Sequence, residues 1–430
     1  MARTIGSGPG DFRAERDGLA RGVELMRRLD ELAAFSSEKD GLTRLYLSPE
    51  YKAAALKVMA WMSEAGMKTM IDAVGNVVGR YNGRVPDKPA LLLGSHIDTV
   101  RNAGKYDGNL GVLIAIAAVA ELNRMGERLP FPIEVIAFGN EEGVRFPVAL
   151  TGSRTVAGTL DPADLDAEDR QGISVREALR HFGCNPFGIP SIKRRRDDVL
   201  AYTEIHIEQG PVLEREELPV GVVTAINGAS RFEIEVRGNA GHAGTVPMGL
   251  RKDALAAAAE MIVAIERRGA ATANLVATVG RIEVRPAAVN VIPDWARFTI
   301  DIRAPVDANR MRAINDLERE IRAIALGRGV AVEMKRTYEE AAASCEPWLI
   351  EQLAASIDRA GIRTVRLPSG AGHDALAIAS LCPIGMLFVR CRGGISHNPA
   401  ESITVEDAEV ALRVTLDFLR HFSRPAVAPG

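Results

Sequence analysis

The sequence predicts an α/β fold in which one discontinuous domain, residues 1–223 and 337–430, is interrupted by a smaller α+β domain at 224–336. Three observations support this prediction. The chain has 430 residues, which is more than a single hydrophobic core normally serves. Apolar runs alternate with amphipathic stretches in the two outer segments, as in α/β proteins. Between 224 and 336 the pattern changes to alternating strands and two amphipathic helices.

The first outer segment contains the apolar runs of a mixed, mostly parallel sheet. PALLLG at 89–94 and IEVIAF at 133–138 are almost continuously apolar, which is typical of strands covered by helices on both faces. Each run leads directly into a polar loop that contains glycine: GSHIDTV after the first and GNEEGVRF after the second. Open α/β sheets bind ligands at the carboxyl ends of their strands. We therefore expect a functional site in these loops.

The middle segment has the order β-α-β-β-α-β. RFEIEVRG, VATVGRIEV, RFTIDIRAP and VAVEMKRTY alternate as strands, and DALAAAAEMIVAIERR and NRMRAINDLEREIRAIA repeat as helices. This order is typical of a compact α+β sandwich, which we interpret as an inserted domain. After residue 340 the α/β pattern resumes with the strand PIGMLFVR, the loop GGISHNPAE and the closing helix VEDAEVALRVTLDFLRHF.

Composition and charge argue against nucleic acid and membranes as partners. The 53 Lys and Arg residues are balanced by 56 Asp and Glu, so the formal net charge of -3 creates no basic field. The sequence has neither an apolar stretch of membrane-spanning length nor the apolar core of a signal peptide at its N-terminus. Four cysteines without a CxxC pair fit a reducing compartment. We expect a cytoplasmic protein that acts on a small molecule.

Polar residues with metal-binding chemistry cluster in the loops. Five of the seven histidines lie in glycine-containing loops or at strand ends: His96, His206, His242, His373 and His397. Asp98 and Asp107 follow the first of them, and the pair Glu141 and Glu142 follows the next strand. Imidazole and carboxylate together suit zinc or manganese. One histidine at a strand end is more often structural, but several strand ends converge on one rim of a parallel sheet.

These motifs resemble those of the two-metal amidohydrolases related to carboxypeptidase G, aminoacylase and bacterial dipeptidases. Within that family they resemble the N-carbamoyl group, which contains allantoate amidohydrolase, N-carbamoyl-L-amino acid hydrolase and β-ureidopropionase. Seven ordered motifs carry the resemblance over nearly the whole chain: GSHIDTV, KYDGNLGV, GNEEGVRF, HIEQGPVLE, GNAGHAGTVPM, SGAGHDA and ISHNPAE. The resemblance implies a hydrolase that cleaves a carbon–nitrogen bond of a ureido carboxylate. A dipeptidase and a catalytically inactive metal-binding protein are the alternatives outside this group.

The resemblance implies two divalent metal ions, zinc or manganese, with cobalt and nickel also suited to the same ligands. The implied ligands are His96, Asp107, Glu142, His206 and His397. His96 and His206 would complete one ion's ligand set and Glu142 and His397 the other, with the Asp107 carboxylate bridging both ions.

The resemblance also assigns catalytic roles. Glu141 would act as general base, taking a proton from water and passing it to the leaving nitrogen. Asp98 would orient the His96 ring. His242 and His373 would polarise the scissile carbonyl and stabilise its oxyanion.

Substrate contacts are implied for Gln209, Asn290, Arg303 and the backbone of Gly372. The guanidinium fork of Arg303 matches a carboxylate, so the substrate should carry one. Because Asn290 and Arg303 fall in the inserted domain, the resemblance implies that this domain is a lid whose closure gates catalysis. It also implies a homodimer joined through the inserted domain.

The substrate stays open at this point. Allantoate, N-carbamoyl-L-amino acids and the substrate of β-ureidopropionase all suit the implied metal and carboxylate machinery. The Asn-Ala-Gly triplet in TVRNAGKYDGNLGV favours allantoate, because hydantoin-pathway relatives commonly have Asn-Gly-Gly there.

Overall fold

The computed structural model describes residues 9–425, with side chains from residue 19 onward. The chain divides into two compact units. The first comprises Met1–Thr224, Cys345–Leu367 and His373–Gly430, and the second comprises Ala225–Ser344 and Pro368–Gly372. The boundary predicted between 336 and 337 falls inside the strand Ala331–Glu340, which belongs entirely to the second unit.

The strands are, in chain order, β1 (Lys68–Ile71), β2 (Val77–Tyr81), β3 (Ala90–His96), β4 (Ile133–Phe138), β5 (Val199–Ile207), β6 (Val220–Ile226), β7 (Gly228–Arg237), β8 (Gly241–His242), β9 (Val276–Thr278), β10 (Ile282–Arg285), β11 (Val291–Ile292), β12 (Trp295–Ala304), β13 (Ala331–Glu340), β14 (Ala343–Ser344), β15 (Arg366–Ser369) and β16 (Ile384–Val389). The α-helices are α1 (Pro9–Ala33), α2 (Pro49–Glu64), α3 (Asn109–Arg124), α4 (Thr151–Ala157), α5 (Val175–Phe182), α6 (Val212–Arg215), α7 (Ala254–Ala270), α8 (Asp307–Arg328), α9 (Pro347–Arg359), α10 (Asp374–Ile378) and α11 (Val405–His421).

A mixed sheet forms the centre of the first unit, with neighbouring strands in the order β1-β2-β4-β3-β5-β16-β6. The pairs β4–β3, β3–β5 and β5–β16 are parallel, and β1–β2, β2–β4 and β16–β6 are antiparallel. Every residue of β3, β4 and β16 is buried. Successive side chains of a strand point to opposite faces, so both faces of these strands are covered. The predicted α/β architecture with a mixed sheet is confirmed.

Helix α3 packs against β3 and β5 and so joins the sheet to the hydrophobic core of the first unit. Its sequence NLGVLIAIAAVAELNR is apolar almost all round, as expected of a helix buried between the sheet and outer helices. Helix α11 instead is amphipathic and packs against α1, α3 and α9. The hydroxyl of Thr404 caps it by accepting the N–H of Asp407 at 3.0 Å.

The second unit has an antiparallel sheet in the order β10-β12-β7-β13, with β9 also paired to β12. Along β12 buried and partly exposed residues alternate, and the buried ones pack with residues of α7 and α8 in one core. The segment VATVGRIEV, predicted as a single strand, is divided into β9 and β10. The two pair with different parts of β12, because the chain leaves the ladder between Thr278 and Ile282.

No helix between residues 9 and 425 is both long and apolar enough to cross a lipid bilayer. The four cysteines are unpaired thiols. Burial raises the pKa of Cys345 and of Cys382 to about 12, so both stay protonated at neutral pH and behave as small core residues.

Candidate metal centre

The parallel strands deliver polar side chains to one edge of the first unit's sheet. His96 is the last residue of β3, His206 lies next to the end of β5, and Glu141 and Glu142 follow β4. His397 follows β16 in the loop before α11. Because these four strands are parallel neighbours, their carboxyl ends lie at the same edge.

The carboxylate of Asp107 lies at the centre of these side chains and is 3% exposed. The Nε2 atoms of His96 and His206 are 3.5 and 3.1 Å from its Oδ1. The Nε2 atom of His397 is 3.1 Å from its other oxygen, Oδ2, and 3.7 Å from Oε2 of Glu142. One carboxylate therefore presents each of its two oxygens to a different set of imidazoles, which is the arrangement of a bridging ligand.

The imidazole tautomers fit cation binding. Nδ1 of His96 lies 2.9 Å from the carbonyl oxygen of Asp98, and Nδ1 of His206 lies 2.9 Å from that of Ile207. Each carbonyl holds the ring proton on Nδ1, so the lone pair of Nε2 faces the site. Nε2 of His206 and Oε1 of Glu142 are buried without a hydrogen-bond partner. Such atoms are costly to bury, and a divalent cation bound at each would satisfy them.

The charges of the site also favour a cation. Burial lowers the pKa of His96 and His206, but the facing carboxylates outweigh burial and raise both above the ordinary value. The hydrogen bond to Asp107 raises the pKa of His397. Burial raises the pKa of Asp107, and the three imidazoles lower it well below its usual range. Burial raises the pKa of Glu142 to about 7. The free site therefore attracts protons, which a bound metal ion would displace.

Glu141 is positioned beside the ligands by Asp98. The two oxygens of the Asp98 carboxylate accept the backbone N–H groups of Glu141 and Glu142, both at 3.2 Å. Oε2 of Glu141 lies 4.0 Å from Nε2 of His96. Burial raises the pKa of Glu141 well above its ordinary value, and His96 opposes this shift. Asp98 thus orients His96 through its backbone carbonyl and uses its carboxylate to position the Glu141 loop.

His373 and Gln209 also lie with these ligands. The ring of His373 is 4.4 Å from the ring of His206, centroid to centroid. Burial, with a smaller effect of His206, lowers the pKa of His373 well below its ordinary value, so its imidazole is neutral. Nε2 of Gln209 donates to Oδ2 of Asp107 at 2.9 Å. Gln209, which we expected to contact substrate, is thus bonded to the central carboxylate.

His242 and Asn290 belong to the second unit, where they are neighbours. Strand β8 pairs His242 with Val291, and the N–H of Ala243 donates to the carbonyl of Asn290 at 2.9 Å. Nδ1 of His242 accepts the N–H of Gly244 at 3.0 Å. The ring proton therefore lies on Nε2, where it is available as a donor.

Arg303 and Gly372 also belong to the second unit. The guanidinium of Arg303 donates to both oxygens of Asp301, at 2.8 and 3.0 Å. Its third contact is the carbonyl of Gly370, at 2.8 Å. The backbone segment that contains Gly372 therefore lies close to the Arg303 side chain.

Sequence reasoning missed three residues that contact the site. A carboxylate oxygen of Glu204 lies within 4.8 Å of ring nitrogens of His206 and His373, and this carboxylate accepts the Ser95 hydroxyl at 3.0 Å and the N–H of Ala375 at 2.9 Å. It could have been found from the strand pattern, because Glu204 and His206 are two positions apart and share a face. Ser396 and Glu401 lie in the quoted motif ISHNPAE, but serine is no usual metal ligand and neither residue adjoins a strand.

Comparison with known proteins finds similarity over most of the chain. A family model described as Peptidase family M20/M25/M40 matches residues 92–421. An N-carbamoyl-L-amino acid amidohydrolase from Geobacillus stearothermophilus is 41% identical over 397 residues, covering 92% of this chain and 97% of that protein. Allantoate deiminase 1 from Glycine max is 40% identical over 431 residues, covering 93% and 89%. A crystal structure of an amidase of the hydantoinase/carbamoylase family from Burkholderia multivorans has a TM-score of 0.88 at 34% identity, covering 93% and 97%. These relatives confirm the resemblance to the N-carbamoyl group.

Proposed function

The chain belongs to peptidase family M20/M25/M40 and is a hydrolase of carbon–nitrogen bonds, and we propose that it uses two divalent metal ions to cleave a ureido carboxylate. The observation that carries this proposal is the convergence of three imidazoles on the two oxygens of Asp107. Glu142 lies beside His397, and Glu141 lies beside His96.

We assign each metal ion to one group of ligands. His96, Asp107 and His206 form the first group, and Asp107, Glu142 and His397 form the second; within each, one ligand atom per residue lies within 4.8 Å of the others. Zinc and manganese suit such mixed imidazole and carboxylate ligands, as do cobalt and nickel. The bound ions would polarise the substrate carbonyl and lower the pKa of a water molecule toward about 7.

The remaining chemistry falls to the protein's own side chains. The Glu141 carboxylate accepts a proton from the attacking water and returns it to the leaving nitrogen, which would otherwise depart as a strongly basic anion. The neutral imidazole of His373 and the Nε2–H of His242 are donors for the oxygen that becomes negative. Arg303, with Gln209, Asn290 and the backbone of Gly372, contacts the substrate, and the guanidinium binds its carboxylate.

We propose allantoate as the substrate, with ammonia and carbon dioxide released from the cleaved carbamoyl group. The triplet Asn-Ala-Gly at 102–104 and the similarity to a plant allantoate deiminase support this choice. The second candidate is an N-carbamoyl-L-amino acid hydrolase or a β-ureidopropionase. The relative from Geobacillus stearothermophilus, at 41% identity, supports the N-carbamoyl-L-amino acid.

Ammonia release separates these candidates. Chelated protein would be reloaded with Zn²⁺, Mn²⁺, Co²⁺ or Ni²⁺ and given allantoate, several N-carbamoyl-L-amino acids and N-carbamoyl-β-alanine. A dipeptide is the control, and its hydrolysis is followed by the free amino acids released, because it yields no ammonia. We expect turnover of allantoate, restored by at least one metal. Turnover of carbamoyl amino acids but not of allantoate would show that the substrate is an N-carbamoyl amino acid, and the proposed mechanism would still hold. Hydrolysis of the dipeptide alone would contradict a ureido substrate.

We also propose a cytoplasmic homodimer joined through the second unit. The edge strands β9 and β10 carry the exposed apolar residues Val276 and Ile282, which are 53% and 45% exposed. Exposed apolar edge strands are sites of association. The unpaired cysteines suit a reducing compartment. Light scattering should give twice the 46.2 kDa mass of the chain, and a Val276→Lys/Ile282→Lys variant should be monomeric. A wild-type monomer would contradict the dimer.

A further inference from the structure

We propose that Glu401 is a positioning residue with two roles. It holds the Asp107 turn next to the loop that carries His397, and it keeps the Ser396 hydroxyl from donating its proton to Asp107. The inference rests on the proposed metal centre. Glu401 is 4% exposed and belongs to neither ligand group. Its contacts hold together two segments that are almost 300 positions apart in the chain.

One oxygen of Glu401 holds the backbone of the Asp107 turn. Oε1 accepts the N–H of Tyr106 at 2.8 Å and the N–H of Asp107 at 3.1 Å. A Cβ atom on Gly104 would overlap the Glu401 carboxylate, so the glycine in this turn leaves the space that the carboxylate fills. The backbone position of the bridging ligand therefore depends on Glu401.

The other oxygen of Glu401 meets the loop that carries His397. The Ser396 hydroxyl lies 2.9 Å from Oε2 of Glu401 and 3.1 Å from Oδ2 of Asp107. Gln209 donates to this hydroxyl at 3.1 Å. A serine hydroxyl has one proton, so it can donate to only one of the two carboxylates. While the hydroxyl proton is directed to Oε2 of Glu401, the nearer of the two acceptors, the Asp107 oxygen keeps a lone pair for a metal ion.

This arrangement makes a specific prediction for Glu401→Gln. The amide oxygen of glutamine can still accept the two backbone N–H groups, but its NH₂ group must then face Ser396 as a donor. The hydroxyl proton would turn to Oδ2 of Asp107 and compete with the ion that His397 helps to bind. Removing that hydroxyl in the double variant Glu401→Gln/Ser396→Ala should relieve the competition.

The test measures metal affinity and needs no substrate. Free Mn²⁺ would be counted by electron paramagnetic resonance during titration of metal-free protein, with Zn²⁺ measured against a chelating dye. We expect Glu401→Gln to weaken binding about 10- to 100-fold, as for other groups that orient metal ligands. The added Ser396→Ala should recover most of this loss, a coupling that a purely structural role would not produce.

Two further variants serve as controls. Asp72→Asn alters another buried carboxylate that accepts two backbone N–H groups, from Val74 and Asn76 at 3.0 Å each, and should leave metal affinity unchanged. Glu401→Asp keeps a carboxylate that can accept the Ser396 proton. Any loss of metal affinity in this variant should therefore not be rescued by Ser396→Ala. This comparison can still be made if Glu401→Gln fails to fold.

The outcomes distinguish this inference from the proposed function. A wild-type chain that bound neither Mn²⁺ nor Zn²⁺ would overturn both. Normal metal binding by Glu401→Gln, or a double variant as weak as the single one, would overturn only the role of Glu401. The wrong choice of substrate would leave every one of these measurements intact.

Discussion

Glu141 and Glu142 are adjacent but have different surroundings, so substitutions at the two positions should affect different properties, turnover and metal binding. Both carboxylates lie near His96, and only Glu142 also groups with Asp107 and His397; Oε2 of Glu141 lies 4.0 Å from Nε2 of His96. Glu141→Gln should retain both metal ions and lose turnover by about 10²- to 10⁴-fold, because the proton acceptor is removed. Glu142→Gln should lose metal. Metal content and ammonia release measured on both variants check this pair, and an active Glu141→Gln would remove that residue as the base.

The raised pKa values of the ligands predict a pH dependence of metal binding. Burial first, and then the Asp107 charge, raise the pKa of Glu142 to about 7, and the pKa values of His96, His206 and His397 are also raised. A ligand must lose its proton to bind metal, so affinity should fall as pH decreases through 7. The fall should be about tenfold per pH unit for each proton displaced. Titrations of metal-free protein between acidic and alkaline pH measure it; affinity independent of pH would contradict the ligand set.

Arg303→Ala should mainly weaken substrate binding. Loss of a charged hydrogen-bonding group costs about 1.5 to 3 kcal/mol, which is about a 10- to 100-fold increase in KM with a smaller change in kcat. Arg231→Ala is the matched control, because Arg231 also donates to Asp301, at 3.0 Å, on the same sheet. Equal kinetic effects of the two substitutions would assign Arg303 a structural role with Asp301 instead of substrate binding.

At the scale of elements, the start of α3 shows how a helix and a metal ligand depend on each other. Gly108 precedes α3 with a φ of 65°, and a Cβ atom there would overlap the ring of His96. Gly126, which follows the same helix, has a φ of 68° and open space around it. Substitutions at these two glycines therefore separate the effect of backbone strain from that of steric contact with the metal ligand His96.

Gly108→Ala should therefore lower metal affinity, and Gly126→Ala should not. Both substitutions place a side chain in the left-handed region and should cost about 1 to 2 kcal/mol of unfolding free energy. Denaturant unfolding of the metal-free variants gives the first quantity, and metal titration gives the second. Equal metal affinity in the two variants would mean that the His96 ring can move away without loss of binding.

Local sequence patterns predict some of the helices and strands better than others. The largely apolar run at 133–138 is β4 with the same bounds, because a run of only six residues that is rich in β-branched side chains and followed by a glycine-containing loop fits a buried strand better than a helix. The alternating segment at 276–284 is two strands instead of one. Alternation alone does not reveal where a strand leaves its ladder, because that depends on the strand beside it.

At the scale of the whole molecule, metal binding should stabilise the first unit selectively. All the proposed ligands belong to that unit, and the second unit has a separate core. A ligand present at about 100 times its Kd adds about 2.7 kcal/mol to the stability of the part that binds it. Hydrogen exchange with and without a chelator should change protection in the loops after β3, β4, β5 and β16. Equal loss of protection along β7, β12 and β13 would contradict a metal effect confined to the first unit.

By itself, the sequence determined the chemistry of the site. Apolar runs, alternation and loop composition are properties of neighbouring residues, so they identified the strands and the polar side chains after them. The tertiary structure decided which side chains share a partner. The contacts of Gln209 with Asp107 and of Glu401 with the Asp107 turn follow from strand order and loop path. The Glu401 and Asp107 residues are separated by 294 positions, and no short-range pattern encodes a contact across that distance.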